Sequence, residues 1–87
     1  MQGVDNEIRS RITALVRGIL AQNSITGAVA SDAQLVDIGL TSMDMVNLML
    51  GVEAEFDFTI PHEQITPENF RSVQSLERLV TEQLQTA

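Results

Sequence analysis

Three stretches of this 87-residue chain repeat apolar residues at intervals of three and four, and this period constrains the fold more than any other feature. Such spacing is typical of α-helices with one buried face, and no stretch shows a persuasive alternation of the strand type. The stretches are residues 4–22, 42–57 and 73–85, and a shorter helix is predicted at 66–70. The sequence therefore predicts an all-α fold, a small four-helix bundle of three main helices plus a short third helix.

Residues 23–41 form a long first loop between the first two main helices. Within it, Ser31 and Gln34 have the spacing of a capping box, which predicts one short helical turn. A connection of this length in a compact domain is more often functional than accidental. A length of 87 residues predicts one domain over residues 1–87, and with 44% hydrophobic residues it can bury a core, expected at about 5–85.

The charged residues are mostly acidic and unevenly placed. Five arginines oppose twelve Asp and Glu residues, which gives a net charge of −7, and no base occurs between Arg17 and Arg71. Nucleic acids and anionic lipid surfaces select positive charge, so we expect no binding to nucleic acid and no stable membrane insertion. The acidic middle of the chain favours a partner with a basic surface.

Several kinds of chemistry lack the residues that they need. The chain has no Cys and a single histidine, His62, so we predict no metal site, no thiol nucleophile and no catalytic residues. No apolar run approaches the length of a membrane span, and the first residues lack the basic start of a signal peptide. We therefore expect a cytoplasmic protein.

Ser42 stands at the start of the second main helix, directly after a turn that contains Gly39. The backbone N–H groups of a first helical turn and the positive end of the helix dipole point toward such a residue. This environment suits a phosphate carried on the serine oxygen. The alternative is that Ser42 is only the helix cap, because Ser is a leading cap residue.

Two segments around this serine resemble one family. The segment GLTSMDMVNL at residues 39–48 is similar to the attachment segment of acyl carrier proteins and of the related carrier domains of thiotemplate synthases. The segment EAEFDFTIP at residues 53–61 resembles the end of the family's second helix and the turn after it, and the gap from Ser42 to Pro61 matches without an insertion. The resemblance covers residues 8–84.

The resemblance implies that Ser42 carries a 4′-phosphopantetheine arm, which a phosphopantetheinyl transferase moves from coenzyme A with the help of Mg²⁺. The thiol of the arm would hold an acyl or aminoacyl group as a thioester and present it to partner enzymes, in a specialised lipid or secondary-metabolite pathway. The implied partners are the transferase, an acyl- or aminoacyl-loading ligase and acyl-transferring enzymes. We expect the carrier to act as a monomer, and the resemblance implies that it is not itself an enzyme.

The chain departs from the family pattern on the second helix. Thr41 stands where the family most often has Asp, and Asn47 and Ala54 stand where Glu is usual. We predict a partner-docking face of low charge, formed by Met43, Asp44, Asn47, Leu50, Gly51 and Ala54. The alternative is drift on a solvated face.

An acyl chain could fold back between the helices. The residues expected to line that space are Leu48, Val52, Ile60, Phe70, Leu76 and Val80. The alternative for each of them is a plain core position. Two further hypotheses stay open for the whole chain, an unmodified acidic helical adaptor and, within the carrier class, an aminoacyl or peptidyl carrier, because the loading enzyme chooses the cargo.

Overall fold

The computed structural model describes residues 3–86, with side chains for residues 7–85. This range contains α-helices, one 3₁₀-helix and no strand. The elements are α1 (Gly3–Gln22), α2 (Leu35–Ile38), α3 (Ser42–Phe56), the 3₁₀-helix (His62–Gln64) and α4 (Val73–Thr86). The predicted all-α fold with three main helices is confirmed.

The short helix predicted at residues 66–70 is a single turn that follows the 3₁₀-helix. Phe70 N donates to Thr66 O at 3.2 Å, and Asn69 N donates to Thr66 Oγ1 at 3.2 Å, so Thr66 does begin a turn as a cap residue. The turn does not continue because the chain bends to begin α4 at Val73. The short third element of the bundle is therefore the 3₁₀-helix together with this turn.

The helical turn in the first loop does not begin at the capping box predicted for Ser31 and Gln34. The helix α2 begins at Leu35, and Gln34 precedes it in extended conformation without a side-chain cap bond. Ser31 instead offers its backbone oxygen to Gln74 N, at 2.8 Å. The Ser31 carbonyl is thus bonded to α4, and no side-chain cap forms at the start of α2.

The core lies where α1 packs against both α3 and α4. Each long helix contributes side chains that are fully buried, and burial of each such side chain stabilises the fold by about 1.5–3 kcal/mol. The most enclosed residues are Ile12 and Val16 on α1, Leu48 and Val52 on α3, and Val73, Leu76, Leu79 and Val80 on α4.

The first loop is fastened to the bundle around α2. Leu35 N donates to Arg71 O at 2.8 Å, which joins the start of α2 to the segment before α4. Gly39 ends α2 with a φ of 122°, and a Cβ at this position would lie 2.5 Å from the Ile25 side chain. The backbone angle favours glycine at this position, and a larger residue would also have to displace the tip of the Ile25 side chain. Together these constraints fix where the chain enters α3.

None of the helices within residues 3–86 combines the length and apolar character that crossing a membrane requires.

Candidate functional site

Thr41 is the N-cap of α3. Its Oγ1 accepts a hydrogen bond from Asp44 N at 3.2 Å, and its own N donates to the Asp44 carboxylate at 3.0 Å. This reciprocal pair is a capping box, in which each side chain satisfies a backbone N–H group at the helix start. Thr and Asp are both preferred N-cap residues, so Thr41 can fill the place where the family usually has Asp.

Asp44 also ties the end of α1 to the start of α3. Asn23, which follows α1, donates its side-chain amide to the Asp44 carboxylate at 2.8 Å. The hydrogen bond from the Thr41 backbone and then the one from Asn23 hold the pKa of Asp44 below its ordinary value. The carboxylate therefore stays ionised at neutral pH, at the end of the helix where the dipole favours negative charge.

Ser42 is the first residue of α3, and its side chain is exposed. Its hydroxyl makes no hydrogen bond to any side chain or backbone group that the structure describes. The alternative that Ser42 is itself the helix cap is wrong, because Thr41 holds that position. The hydroxyl can therefore be modified without opening the capping box.

An open pocket of about 540 Å³ begins beside Ser42. The pocket is lined by residues of α3, of the turn at residues 65–71, and of α2 together with the residue before it. Polar groups at the pocket come from Gln34, Ser42, Thr66 and Arg71. The apolar lining consists of Val36, Met45, Val46, Met49, Ile65, Pro67 and Phe70.

Most of the residues predicted to line an acyl space lie elsewhere. Phe70 does line the pocket beside Ser42. The other five are packed in the core with at most 3% exposure: Leu48, Val52, Ile60, Leu76 and Val80. Sequence reasoning missed Met45, Val46 and Met49, which follow Ser42 by three, four and seven residues. That spacing puts them on the same side of a helix as Ser42, and it was the signal that could have found them.

The predicted docking residues divide into two groups. The exposed ones are Met43, Asn47, Leu50 and Ala54. Met43 is 73% exposed and Leu50 is 53% exposed, which is unusual for large apolar side chains. Asp44 is half-buried in the capping box, and Gly51 faces α1, since a Cβ there would lie 3.4 Å from Leu15.

Exposed apolar residues that the sequence analysis did not assign also surround Ser42. They are Val36, Val46 and Ile65, and each is at least 42% exposed. All three line the pocket, so part of its apolar lining is also exposed to solvent.

Two arginines of α1 are paired with carboxylates of α3 and α4. Arg9 Nε lies 2.9 Å from the Glu77 carboxylate, and Arg11 Nε lies 2.7 Å from that of Glu55. Arg71 lines the pocket instead and is not paired with any described carboxylate. Within the described residues there is also no group of three or more His, Asp and Glu side chains that could hold a metal ion.

The chain belongs to the family of proteins with a phosphopantetheine attachment site. The family model described as "Phosphopantetheine attachment site" matches residues 10–80. Membership implies a covalently attached 4′-phosphopantetheine group. The site fits such a group, because an exposed and unbonded hydroxyl stands at a helix N-terminus beside an open pocket.

Particular relatives narrow the class. The chain is 64% identical over its full length to aminoacyl carrier protein 1 of Bradyrhizobium diazoefficiens, of which it covers 97%. It is 67% identical, with a TM-score of 0.74, to the carrier protein in a crystal structure with Bradyrhizobium japonicum glycine:[carrier protein] ligase and an analogue of glycyl adenylate. That match covers 86% of this chain and 97% of the other.

A second crystal structure contains the same ligase with a glycylated carrier protein. The identity is 68% and the TM-score 0.72, and the match covers 83% of this chain and 97% of that chain. The prediction of a carrier protein is thus confirmed, and the adaptor hypothesis is not favoured. The relatives of similar sequence are named aminoacyl carrier proteins, and none of these names gives a pathway. The lipid or secondary-metabolite pathway therefore stays a prediction.

Proposed function

We propose that this protein is an aminoacyl carrier that bears its arm on Ser42 and is loaded with glycine by an amino acid:carrier protein ligase. The observation that carries the proposal is the exposed hydroxyl of Ser42, free of structural bonds, in a chain 64% identical to an aminoacyl carrier protein. The arm supplies the thiol on which the amino acid is held as a thioester. The protein itself catalyses no step.

The residues around Ser42 give it the properties that arm attachment needs. The Thr41–Asp44 box holds the first turn of α3 in place, so the hydroxyl stands on a rigid element. Backbone N–H groups of that turn favour the negative phosphodiester that attachment creates on Ser42 Oγ. The chain contains no Cys, so the thiol of the arm has no competitor in the same molecule.

Glycine is the proposed cargo because the carriers in the ligase complexes are similar to this one over most of their length. A glycyl group is small, and it needs no deep apolar cavity to hide it from water. The core residues once expected to line an acyl space are accordingly proposed to act as packing, and the groove beside Ser42 is left for the arm.

We propose that partners dock on the outer face of α3, where Met43, Asn47, Leu50 and Ala54 are exposed. The proposed role of Asp44 and Gly51 in docking is indirect, since one closes the helix start and the other sets the distance to α1. Some enzymes bind an acidic helix through Arg and Lys side chains. Against the outer face of α3 those side chains would lose their hydration without gaining ion pairs, which is unfavourable. The partners that the aminoacyl carrier role requires are an aminoacyl ligase and a phosphopantetheinyl transferase, and each is proposed to bind a cytoplasmic monomer.

Two mass measurements test the proposal. The protein is co-expressed with a broad-specificity phosphopantetheinyl transferase, and we expect its intact mass to rise by one phosphopantetheinyl group. The modified protein is then incubated with a glycine:carrier protein ligase, ATP and glycine, and we expect one added glycyl group that hydroxylamine removes.

The controls separate the two parts of the proposal. Ser42→Ala should gain neither mass, whereas Ser31→Ala should gain both, because Ser31 lies in the first loop away from the start of α3. Absence of the first mass gain with several transferases would favour the adaptor. A first gain without glycylation, but with loading of another amino acid or an acyl group, would overturn the choice of cargo alone.

A further inference from the structure

The pocket beside Ser42 holds one cationic side chain in an acidic protein. Arg71 is the only base between Arg17 and Arg78 in a chain of net charge −7. Arg71 and Ser42 line the same pocket. No carboxylate of the described residues lies within ion-pair distance of its guanidinium, whereas Arg9 and Arg11 are both paired.

The backbone of Arg71 is held in place from both sides. Its carbonyl oxygen accepts a hydrogen bond from Leu35 N at 2.8 Å, which fixes it against the start of α2. The next residue, Ser72, is buried and caps α4: its Oγ accepts from Ser75 N at 3.2 Å, and Ser75 Oγ accepts from Ser72 N at 3.0 Å. The guanidinium therefore extends from a fixed point on the wall that faces α3.

We propose that Arg71 binds the phosphodiester of the phosphopantetheine arm, and so draws the arm into the groove between α3 and the turn at residues 65–71. The inference rests on the proposed attachment at Ser42. A phosphodiester carries one negative charge and accepts hydrogen bonds on two oxygens, and a guanidinium offers a planar fork of donors that matches them. The apolar lining beyond the fork, including Val46 and Met49, suits the methyl groups of pantetheine.

This arrangement has a consequence for partner binding. An arm drawn toward Arg71 lies on the pocket side of α3, away from Met43 and Leu50 on the outer face. The docking face then stays open while the arm rests, and a partner can bind before the arm swings into its active site. Because the contact is solvent-exposed, it biases the arm by about two- to five-fold rather than locking it.

The test uses NMR on the full chain. The Nε–Hε signals of the arginines are compared in ¹⁵N-labelled protein before and after attachment of the arm. We expect the Arg71 signal to move and the Arg78 signal to stay. The ³¹P signal of the arm is then compared in wild type, Arg71→Gln and Arg78→Gln, at low and high salt. Arg78→Gln removes the same charge from an exposed arginine of α4 outside this pocket.

We expect the ³¹P signal to shift in Arg71→Gln only, and salt to shift the wild-type signal toward that of this variant. An Arg71 signal unmoved by the arm, or equal ³¹P signals in the two variants, would overturn the inference. So would an Arg71 signal that moves only when a ligase is added, since the base would then serve a partner's carboxylate. A wild type that takes no arm refutes the attachment at Ser42, and a failed glycylation refutes the cargo and leaves the NMR result standing.

Discussion

Polar side chains make hydrogen bonds at both ends of α3, but the N-terminal end also carries a hydroxyl that makes none to any described residue. At the C-terminal end, Arg11 donates to the carboxylate and to the backbone oxygen of Glu55, each at 2.7 Å, and its guanidinium lies 4.6 Å from the centre of the Phe56 ring. At the N-terminal end, Thr41 and Asp44 close the helix between them. The hydroxyl of Ser42, between those two residues, is bonded to no described group.

The rest of the C-terminal end is equally committed to structure. Glu53 accepts a hydrogen bond from Ile60 N at 2.8 Å, and Asp57 turns the chain with a φ of 58°. The N-terminal end of α3 thus keeps an unbonded hydroxyl at a helix terminus, where backbone N–H groups need hydrogen-bond partners. The neighbouring Thr41 takes the capping role, so Ser42 keeps its position without a structural task.

The largest expected effect is the loss of arm attachment in Ser42→Ala. We expect no mass gain with a transferase, because the accepting oxygen is absent. The free energy of unfolding, measured with urea, should change by less than about 0.5 kcal/mol, as is usual for exposed side chains without a structural bond. Full loading of this variant, or loading at Ser31 or Ser72, would show that Ser42 is not the attachment site.

The structural role should appear one residue earlier. Thr41→Ala is expected to lower the free energy of unfolding by about 0.5–2 kcal/mol, the usual cost of losing an N-cap side chain. Thr41→Asp should restore it, since Asp is at least as good a cap. Urea unfolding of both variants beside Ser42→Ala makes the measurement. A smaller loss in Thr41→Ala than in Ser42→Ala would mean that the cap is assigned to the wrong residue.

At the C-terminal end of α3, Arg11→Gln should lower the free energy of unfolding without affecting arm attachment at Ser42. The guanidinium is about two-fifths exposed, so its ion pair and its contact with Phe56 together stabilise the fold by about 1 kcal/mol. The rate of arm attachment should be unchanged. Arg17→Gln is the matched control, because Arg17 is exposed on the same helix and has no described ion pair. Slower attachment in Arg11→Gln alone would show that the two ends are coupled.

The smallest expected effect is a pH dependence at the N-terminal end. The pKa of Asp44 is lowered in the folded protein, so its contribution to stability is present above the unfolded value of about 3.9 and is lost as the pH falls through the lower folded value. Asn23→Ala should raise the folded pKa toward the ordinary value, because one hydrogen bond to the carboxylate is removed.

An NMR titration of the Asp44 carboxyl carbon in wild type and Asn23→Ala measures this difference. The stability gap between wild type and Asp44→Asn should also shrink on acidification through the same range. An unchanged Asp44 titration in Asn23→Ala would show that Asn23 does not hold this carboxylate in solution.

The sequence analysis succeeded where the signal is local. The apolar period predicted each end of the three long helices to within one residue. Ser42 was singled out by its place after Gly39 at the start of an apolar-striped helix. The choice between Thr41 and Ser42 as the cap was not available, because both are good caps and the backbone decides which one lies outside the helix.

The periodicity of apolar residues and one short motif were sufficient for the fold class, the family and the residue proposed to carry the arm, since each depends on residues close together in the chain. The pocket beside Ser42 was decided by the tertiary structure. Its far wall is placed by the hydrogen bond from Leu35 to Arg71, residues that lie on either side of α3 in the sequence. No local pattern records that contact, because packing across α3 depends on how the whole core fills.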